Sequence, residues 1–151
     1  MLRQLKGNTG SFSIGTAEIG IYCLNENEVV LIDSGDRPSP ALFGMLEERG
    51  WRVKAIINTH LHEDHIANHE ALVARYGCTV YAGEAEPEDA KLWGISPSWP
   101  LVLTKPDAAV AVGGAEFLTV FTPGHSLGHQ LVATPDGVCF LGDAVMTVDA
   151  L

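Results

Sequence analysis

The sequence predicts an α+β fold in which a mixed sheet carries flanking helices, and two observations point there. Short apolar segments with strand-like alternation, bounded by Gly, Pro, Asn and Asp, are interspersed with stretches of helical spacing. One of the strands, Val53-Lys54-Ala55-Ile56-Ile57, runs directly into Asn58-Thr59-His60-Leu61-His62-Glu63-Asp64-His65. Three imidazoles and two carboxylates therefore fall within six residues at a strand end. If alternation continues past the strand, the rings of His60 and His62 leave the same face, while Asp64 and His65 follow in a turn or first helical turn and aim at a neighbouring point. That arrangement would let His60 and His62 serve one cation and Asp64 and His65 a second. The plain alternative is a solvated His-rich tract. It is disfavoured because the chain has 6 His and three of them sit in this hexapeptide.

The elements follow in order. Residues 11–14, 19–24 and 28–32 read as short strands, with Asn25-Glu26-Asn27 turning between the last two, a meander that feeds one sheet. Asp33-Ser34-Gly35-Asp36 ends the third strand, and Pro38 and Pro40 lead into a helix over 41–48 closed by Gly50. After the histidine cluster, helical spacing over 67–76 turns Ile66, Leu72 and Val73 inward, and Gly77 ends the helix. A helix N-terminus then lies beside the cluster. His69 shares a helix face with His65 four residues earlier and is read as a surface or supporting residue rather than a further ligand.

Residues 78–82 form the next strand. The acidic run Glu84-Ala85-Glu86-Pro87-Glu88-Asp89 opens a helix or loop and is read as a solvated end, since carboxylates are favoured near a helix start. Between residues 92 and 105 the pattern is irregular. Trp93 and Trp99 there either line a substrate mouth or pack, and the residues alone leave both readings open. Residues 108–112, 116–122, 130–134 and 138–141 are strands, the last pair joined through Pro135-Asp136-Gly137.

Composition bounds the partners. A chain of 151 residues is long enough for one domain with a real core, burying about 68–70% of its unfolded surface. Nine Lys+Arg against 19 Asp+Glu leave a formal net charge of −10, which opposes tracking a phosphate backbone and argues against nucleic acid. Bound cations would offset part of that charge locally, so an anionic small molecule could still be drawn to the site. Cys23, Cys78 and Cys139 lie far apart without CxxC spacing, which suggests buried thiols in a reducing compartment. No segment approaches about 18 apolar residues and the N-terminus lacks a signal-peptide core, so no membrane is expected and the reading is cytoplasmic.

His60-Leu61-His62-Glu63-Asp64-His65, preceded by Ile56-Ile57-Asn58-Thr59, resembles the HxHxDH signature of the metallo-β-lactamase superfamily. Leu31-Ile32-Asp33-Ser34-Gly35, Thr122-Pro123-Gly124-His125-Ser126 and Leu141-Gly142-Asp143-Ala144 match further motifs, in the family's order. The resemblance implies an αββα sandwich, with His60, His62 and His125 holding one metal and Asp64, His65 and Asp143 the other, Asp143 bridging. His125 follows Pro-Gly in a sharp turn that can thrust it towards the metals. His129, four residues on, is read as an anchor of that loop. The resemblance gives Asp33 a supporting role rather than that of a ligand, where the residues alone would equally allow an ordinary turn. Family members often carry Gly-Gly where this chain has Ala67-Asn68, a departure expected to affect loop packing alone.

The family's final metal-binding His comes from a second half of the fold, and this chain ends at Leu151. Residues 1–151 are therefore expected to be the N-terminal portion of such a domain, with the C-terminal half or a homo-oligomeric partner covering the exposed sheet. The implied function is a metal-dependent hydrolase that uses a dinuclear site to activate water against a small ester, thioester or lactone, with Asp64 orienting the attacking water. Two divalent ions are implied; zinc suits the imidazole and carboxylate shell, and iron or manganese are tolerated. A non-haem iron oxygenase of the same superfamily and an inactive half-domain used for assembly are the alternatives.

Overall fold

The computed structural model describes residues 1–145. Seven strands form one sheet in sequence order: β1 (Leu2–Lys6), β2 (Thr9–Ile14), β3 (Ala17–Cys23), β4 (Glu28–Ile32), β5 (Arg52–Ile57), β6 (Thr79–Gly83) and β7 (Leu101–Thr104). Pairing is antiparallel from β1 to β4, where short turns join the strands, and parallel from β4 to β7. Parallel neighbours need crossovers, and helices supply them. Helix α1 (Pro40–Glu48) links β4 to β5, α2 (Glu63–Ile66) and α3 (His69–Tyr76) link β5 to β6, and α4 (Glu86–Leu92) links β6 to β7. Ser39 caps α1 by accepting from the Leu42 N–H, and Gly77 ends α3 in the left-handed conformation.

A second, antiparallel sheet has the order β11-β10-β9-β8, built from β8 (Ala109–Val112), β9 (Ala115–Phe121), β10 (Gln130–Ala133) and β11 (Cys139–Phe140). The alternation of β4 shows how the layers stack. Val29 and Leu31 face Leu42 and Leu46 of α1 and Leu72 of α3, while Val30 and Ile32 face Val110, Val112, Phe117 and Val132 of the second sheet. The large sheet is thus the middle layer, buried on both sides, which is why β4 and the end of β5 read as unbroken apolar runs. Each fully buried Leu, Ile or Val stabilises this stack by about 1.5–3 kcal/mol relative to exposure. The outward residues Leu118 and Val120 of the second sheet are exposed.

Several elements depart from the sequence reading. Two strands, β1 and β7, were not anticipated. β1 is an edge strand with only Leu2 partly buried, and β7 is the opposite edge, so neither carries a clean burial pattern. The helix expected over 67–76 begins later, because the Asn68 N–H donates to Ser34 Oγ and its side chain bonds Ser34 O, Arg37 O and the Ser39 N–H. Asn68 thereby ties the β4–α1 loop to the start of α3. Of the expected buried thiols only Cys78 is buried. Cys139 is exposed, because its neighbour Phe140 turns inward onto Gly20, where a Cβ would lie 2.6 Å from the ring.

Candidate metal centre

The cluster residues leave the segments that follow β4, β5, β9 and β11, with Asp64 and His65 in the short helix α2, at one edge of the two sheets. Asp33 directly follows β4 in a left-handed conformation, φ 61°. Its Oδ1 accepts from the Thr59 N–H at 2.8 Å and from Asn58 Nδ2 at 3.1 Å; its Oδ2 accepts from Thr59 Oγ1 at 2.7 Å and from His65 Nδ1 at 2.8 Å. Burial alone would raise this carboxyl, but the imidazolium of His65 and the hydroxyl of Thr59 hold it below the usual range. Asp33 thus grips the backs of the β5 loop and of α2.

The Thr59 hydroxyl donates to Asp33, so its oxygen accepts from Nδ1–H of His60, 3.1 Å away. That bond assigns the proton on His60 to Nδ1 and leaves Nε2 with a free lone pair. His60 is fully buried, and its Nε2 has no hydrogen-bond partner. Burial, reinforced by the His65 charge, depresses this imidazole to about 3, so the ring is neutral. A buried, unpartnered acceptor costs about 1–3 kcal/mol. A cation held at Nε2 would remove that cost.

His62 and His125 point at the same place. The ring centroids of His60 lie 4.6 Å from those of His62 and 4.8 Å from those of His125, and His62 Nδ1 is 3.0 Å from His125 Nε2. Two imidazole nitrogens at that separation share a proton or a cation. One nitrogen from each of His60, His62 and His125 falls within a mutual 4.8 Å, and so does a second group made of His60, His65 and Asp143. The Asp143 carboxylate spans the two, with Oδ1 3.2 Å from His65 Nε2 and Oδ2 3.3 Å from His125 Nε2. Asp64 stands apart from both groups, its largely exposed carboxylate 3.8 Å from His65 Nε2. The structure therefore groups His65 and Asp143 with His60 where the sequence reading had Asp64. Burial would lower His65, but Asp33 and Asp143 outweigh it and raise the imidazole to about 10; hydrogen bonding to His65 in turn lowers Asp143 to about 2.

Four supporting residues surround these donors. His129 is buried, accepts the Asp143 N–H at Nε2 and donates from Nδ1 to Thr122 Oγ1, so it does anchor the loop. His69 is also fully buried and not on the surface: Nε2–H donates to Asn58 Oδ1 and Nδ1 accepts from Ser34 Oγ, both at 2.6 Å. Burial depresses it to about 3. The acidic run corrects the sequence reading most. Glu86 is fully buried and Asp89 nearly so, and neither is a solvated helix end. Glu86 accepts from the Leu61 N–H, Ser126 Oγ and the Gly128 N–H, while Asp89 accepts from the Leu127 N–H and from His62 Nε2. Their spacing of three placed them on one helix face, but nothing local said that this face meets the metal loops.

Residues 19–150 match the sequence profile of the Metallo-beta-lactamase superfamily. The chain belongs to that superfamily. Among curated members, a hydroxyacylglutathione hydrolase of Cereibacter sphaeroides is 33% identical over 86% of this chain and 52% of its own length. One from Cronobacter sakazakii is 38% identical over 72% of this chain and 40% of its own length. The chain thus spans about half the length of the curated relatives it matches. Among solved structures, a metallo-beta-lactamase from Legionella gormanii superposes with a TM-score of 0.75 at 16% identity, covering 88% of this chain and 57% of its own. A subclass B3 metallo-beta-lactamase of Bradyrhizobium japonicum does so with 0.66 at 23% identity, covering 88% and 56%. These likenesses establish the metallo-beta-lactamase fold of the chain. No helix among the described residues is long and apolar enough to cross a membrane.

Proposed function

We propose that this chain is the N-terminal, metal-holding portion of a hydrolase that cleaves a small thioester, with esters and lactones as the wider substrate class. The observation that carries the metal reading is the buried Nε2 of His60, which shares its lack of a partner only with Trp99 Nε1 among the described residues and is aimed at the point where His62 and His125 converge. In this reading His60, His62 and His125 would hold one cation, and Asp64, His65 and Asp143 would hold a second. Zinc is the preferred occupant of so imidazole-rich a shell, and iron or manganese are the alternatives. When bound, such cations would supply the chemistry of lowering the pKa of a water and polarising the carbonyl oxygen under attack.

The chain's own residues do the rest. Asp64, at the solvent edge beside His65, orients the attacking water and takes its proton. Asp33 keeps His65 turned towards Asp143. A cavity of about 510 Å³ opens over His62, Glu63, Asp64 and His125 and is walled by Trp93 and Ile95. Trp93 is 66% exposed and meets the His62 ring edge-on at 5.3 Å, which suits it to the mouth of the site. Trp99 instead packs on His69. Thioesters are favoured over other acyl compounds because the curated relatives are hydroxyacylglutathione hydrolases.

The test is release of free thiol from a hydroxyacylglutathione by the zinc-loaded chain, followed with a thiol reagent. Turnover that is lost in His60→Ala and Asp64→Asn is expected. Absence of turnover on thioester, ester and lactone alike, in a chain that holds zinc, would sink the hydrolase reading.

A further inference from the structure

Two buried carboxylates of α4, Glu86 and Asp89, lie outside both donor groups and yet touch the two loops that carry His60, His62 and His125. Glu86 receives the Leu61 N–H, from the residue between His60 and His62, at 2.6 Å. It also receives Ser126 Oγ at 2.5 Å and the Gly128 N–H at 2.9 Å, from the turn that carries His125. Asp89 receives the Leu127 N–H of that same turn at 3.0 Å through Oδ1, and Nε2 of His62 at 3.2 Å through Oδ2. No Lys or Arg is paired with either carboxylate among the described residues. Five donors from two loops therefore converge on two acceptors one helical turn apart. The backbones are equally close: a Cβ on Gly128 would lie 2.6 Å from the Glu86 nitrogen, and one on Gly83 would lie 2.2 Å from the Gly128 oxygen.

A carboxylate can only accept, so the Asp89 contact dictates where the His62 proton sits. Nε2 must carry it, and Nδ1 is left with the lone pair. That nitrogen is the one lying 3.0 Å from His125 Nε2. His60 is held in the opposite tautomer by Thr59, with Nε2 free. The two histidines are thus set to offer different ring nitrogens to one point. Without a partner at Nε2, a neutral imidazole in water is free to place its proton on either nitrogen, and one choice removes the ligand.

We propose that Glu86 and Asp89 are positioning residues of the metal centre: Asp89 makes His62 a ligand through Nδ1, and Glu86 fixes the distance between the His60–His62 loop and the His125 turn. The proposal rests on the reading that His60, His62 and His125 hold a metal. Asn at 89 has one acceptor oxygen for two donors. Either the Leu127 bond is lost or an amide N–H faces His62 Nε2, which favours the wrong tautomer.

The experiment uses the full chain with zinc as the probe, comparing wild type, Asp89→Asn, Glu86→Gln and the control Glu88→Gln, whose exposed carboxylate pairs with Lys91. Zinc affinity is read by competition with a chromophoric chelator, the histidine tautomers by imidazole ¹⁵N spectra of wild type, and the fold by thermal unfolding of the metal-free chain. Expected are His62 protonated at Nε2, a zinc affinity lowered about 10–100-fold in Asp89→Asn and Glu86→Gln, and an unchanged control. Wild-type zinc affinity in folded Asp89→Asn overturns the proposal, as does loss of thermal stability without loss of affinity. If Asp89→Asn fails to fold, the wild-type spectrum decides, and a proton on His62 Nδ1 overturns it. A wild type that takes up no zinc defeats the functional reading as well, whereas zinc uptake insensitive to both substitutions defeats this inference alone.

Discussion

His65 Nδ1 lies 2.8 Å from Asp33 Oδ2, joining two residues 32 apart in sequence and closing the β4 loop onto the first turn of α2. The same carboxylate takes two donors from Thr59 and one from Asn58, so it is the shared acceptor behind the histidine cluster. Asp33→Ala strands these buried donors and is expected to cost about 3–5 kcal/mol in urea unfolding of the metal-free chain. Asp33→Asn should lose less, since Asn tolerates the left-handed conformation and keeps one acceptor. A loss in Asp33→Ala no larger than in Asp33→Asn would contradict this account.

In the metal-free chain His65 is raised from 6.5 to about 10 by Asp33 and Asp143, against the opposing effect of burial. A raised pKa means that the folded state holds the proton more tightly. Its stabilisation is therefore complete below about pH 6.5 and disappears as pH climbs through about 10. On the acid side, Asp143 is lowered from 3.8 to about 2, so its share is present above about 3.8 and lost as pH falls through about 2. Zinc uptake at neutral pH must then expel the His65 proton. Calorimetric titration in two buffers of different ionisation enthalpy should report about one proton released per chain.

Because His60 Nε2 is the buried free nitrogen of the His60–His62–His125 group, its removal should empty the site that group forms. Free zinc at about a hundredfold above its Kd adds about 2.7 kcal/mol of stability. For a chain of this size that is a rise in Tm of about 5–10 °C. His60→Ala is expected to lose the zinc of that site by elemental analysis, and the zinc-dependent rise that goes with it. A retained rise would remove His60 from the ligand set.

Gly83 at the end of β6 passes so near the His125 turn that a methyl there would sit 2.2 Å from the Gly128 carbonyl oxygen. Gly83→Ala must therefore push β6 and that turn apart. A loss of about 1–3 kcal/mol in denaturant unfolding is expected, together with weakened zinc binding because His125 moves with the turn. Gly44→Ala, which meets nothing within 4 Å, is the matched control and should not weaken zinc binding.

The strands β2 to β6 and β8 to β11 were visible as apolar runs, since alternation and turn residues are properties of a few neighbours along the chain. β1 and β7 were not, because an edge strand is defined by the partner it pairs with, and that partner is specified elsewhere. The same division runs through the site. His60, His62 and His65 announced themselves by spacing, and His125 and Asp143 by their motifs. Glu86 and Asp89 looked like ordinary charges at a helix start, since their burial depends on where the turn after β9 comes to rest. Asp64 sits in the same hexapeptide as the other donors and yet faces solvent.

From the sequence alone came the candidate donors, the strand ends that present them and the superfamily. Period and spacing are local quantities, legible wherever they occur. The tertiary structure decided which nitrogen of each ring is free, which carboxylates lie behind the rings and which donors share a point. Those outcomes depend on hydrogen bonds between loops that lie up to about seventy residues apart and meet only after two sheets have packed face to face.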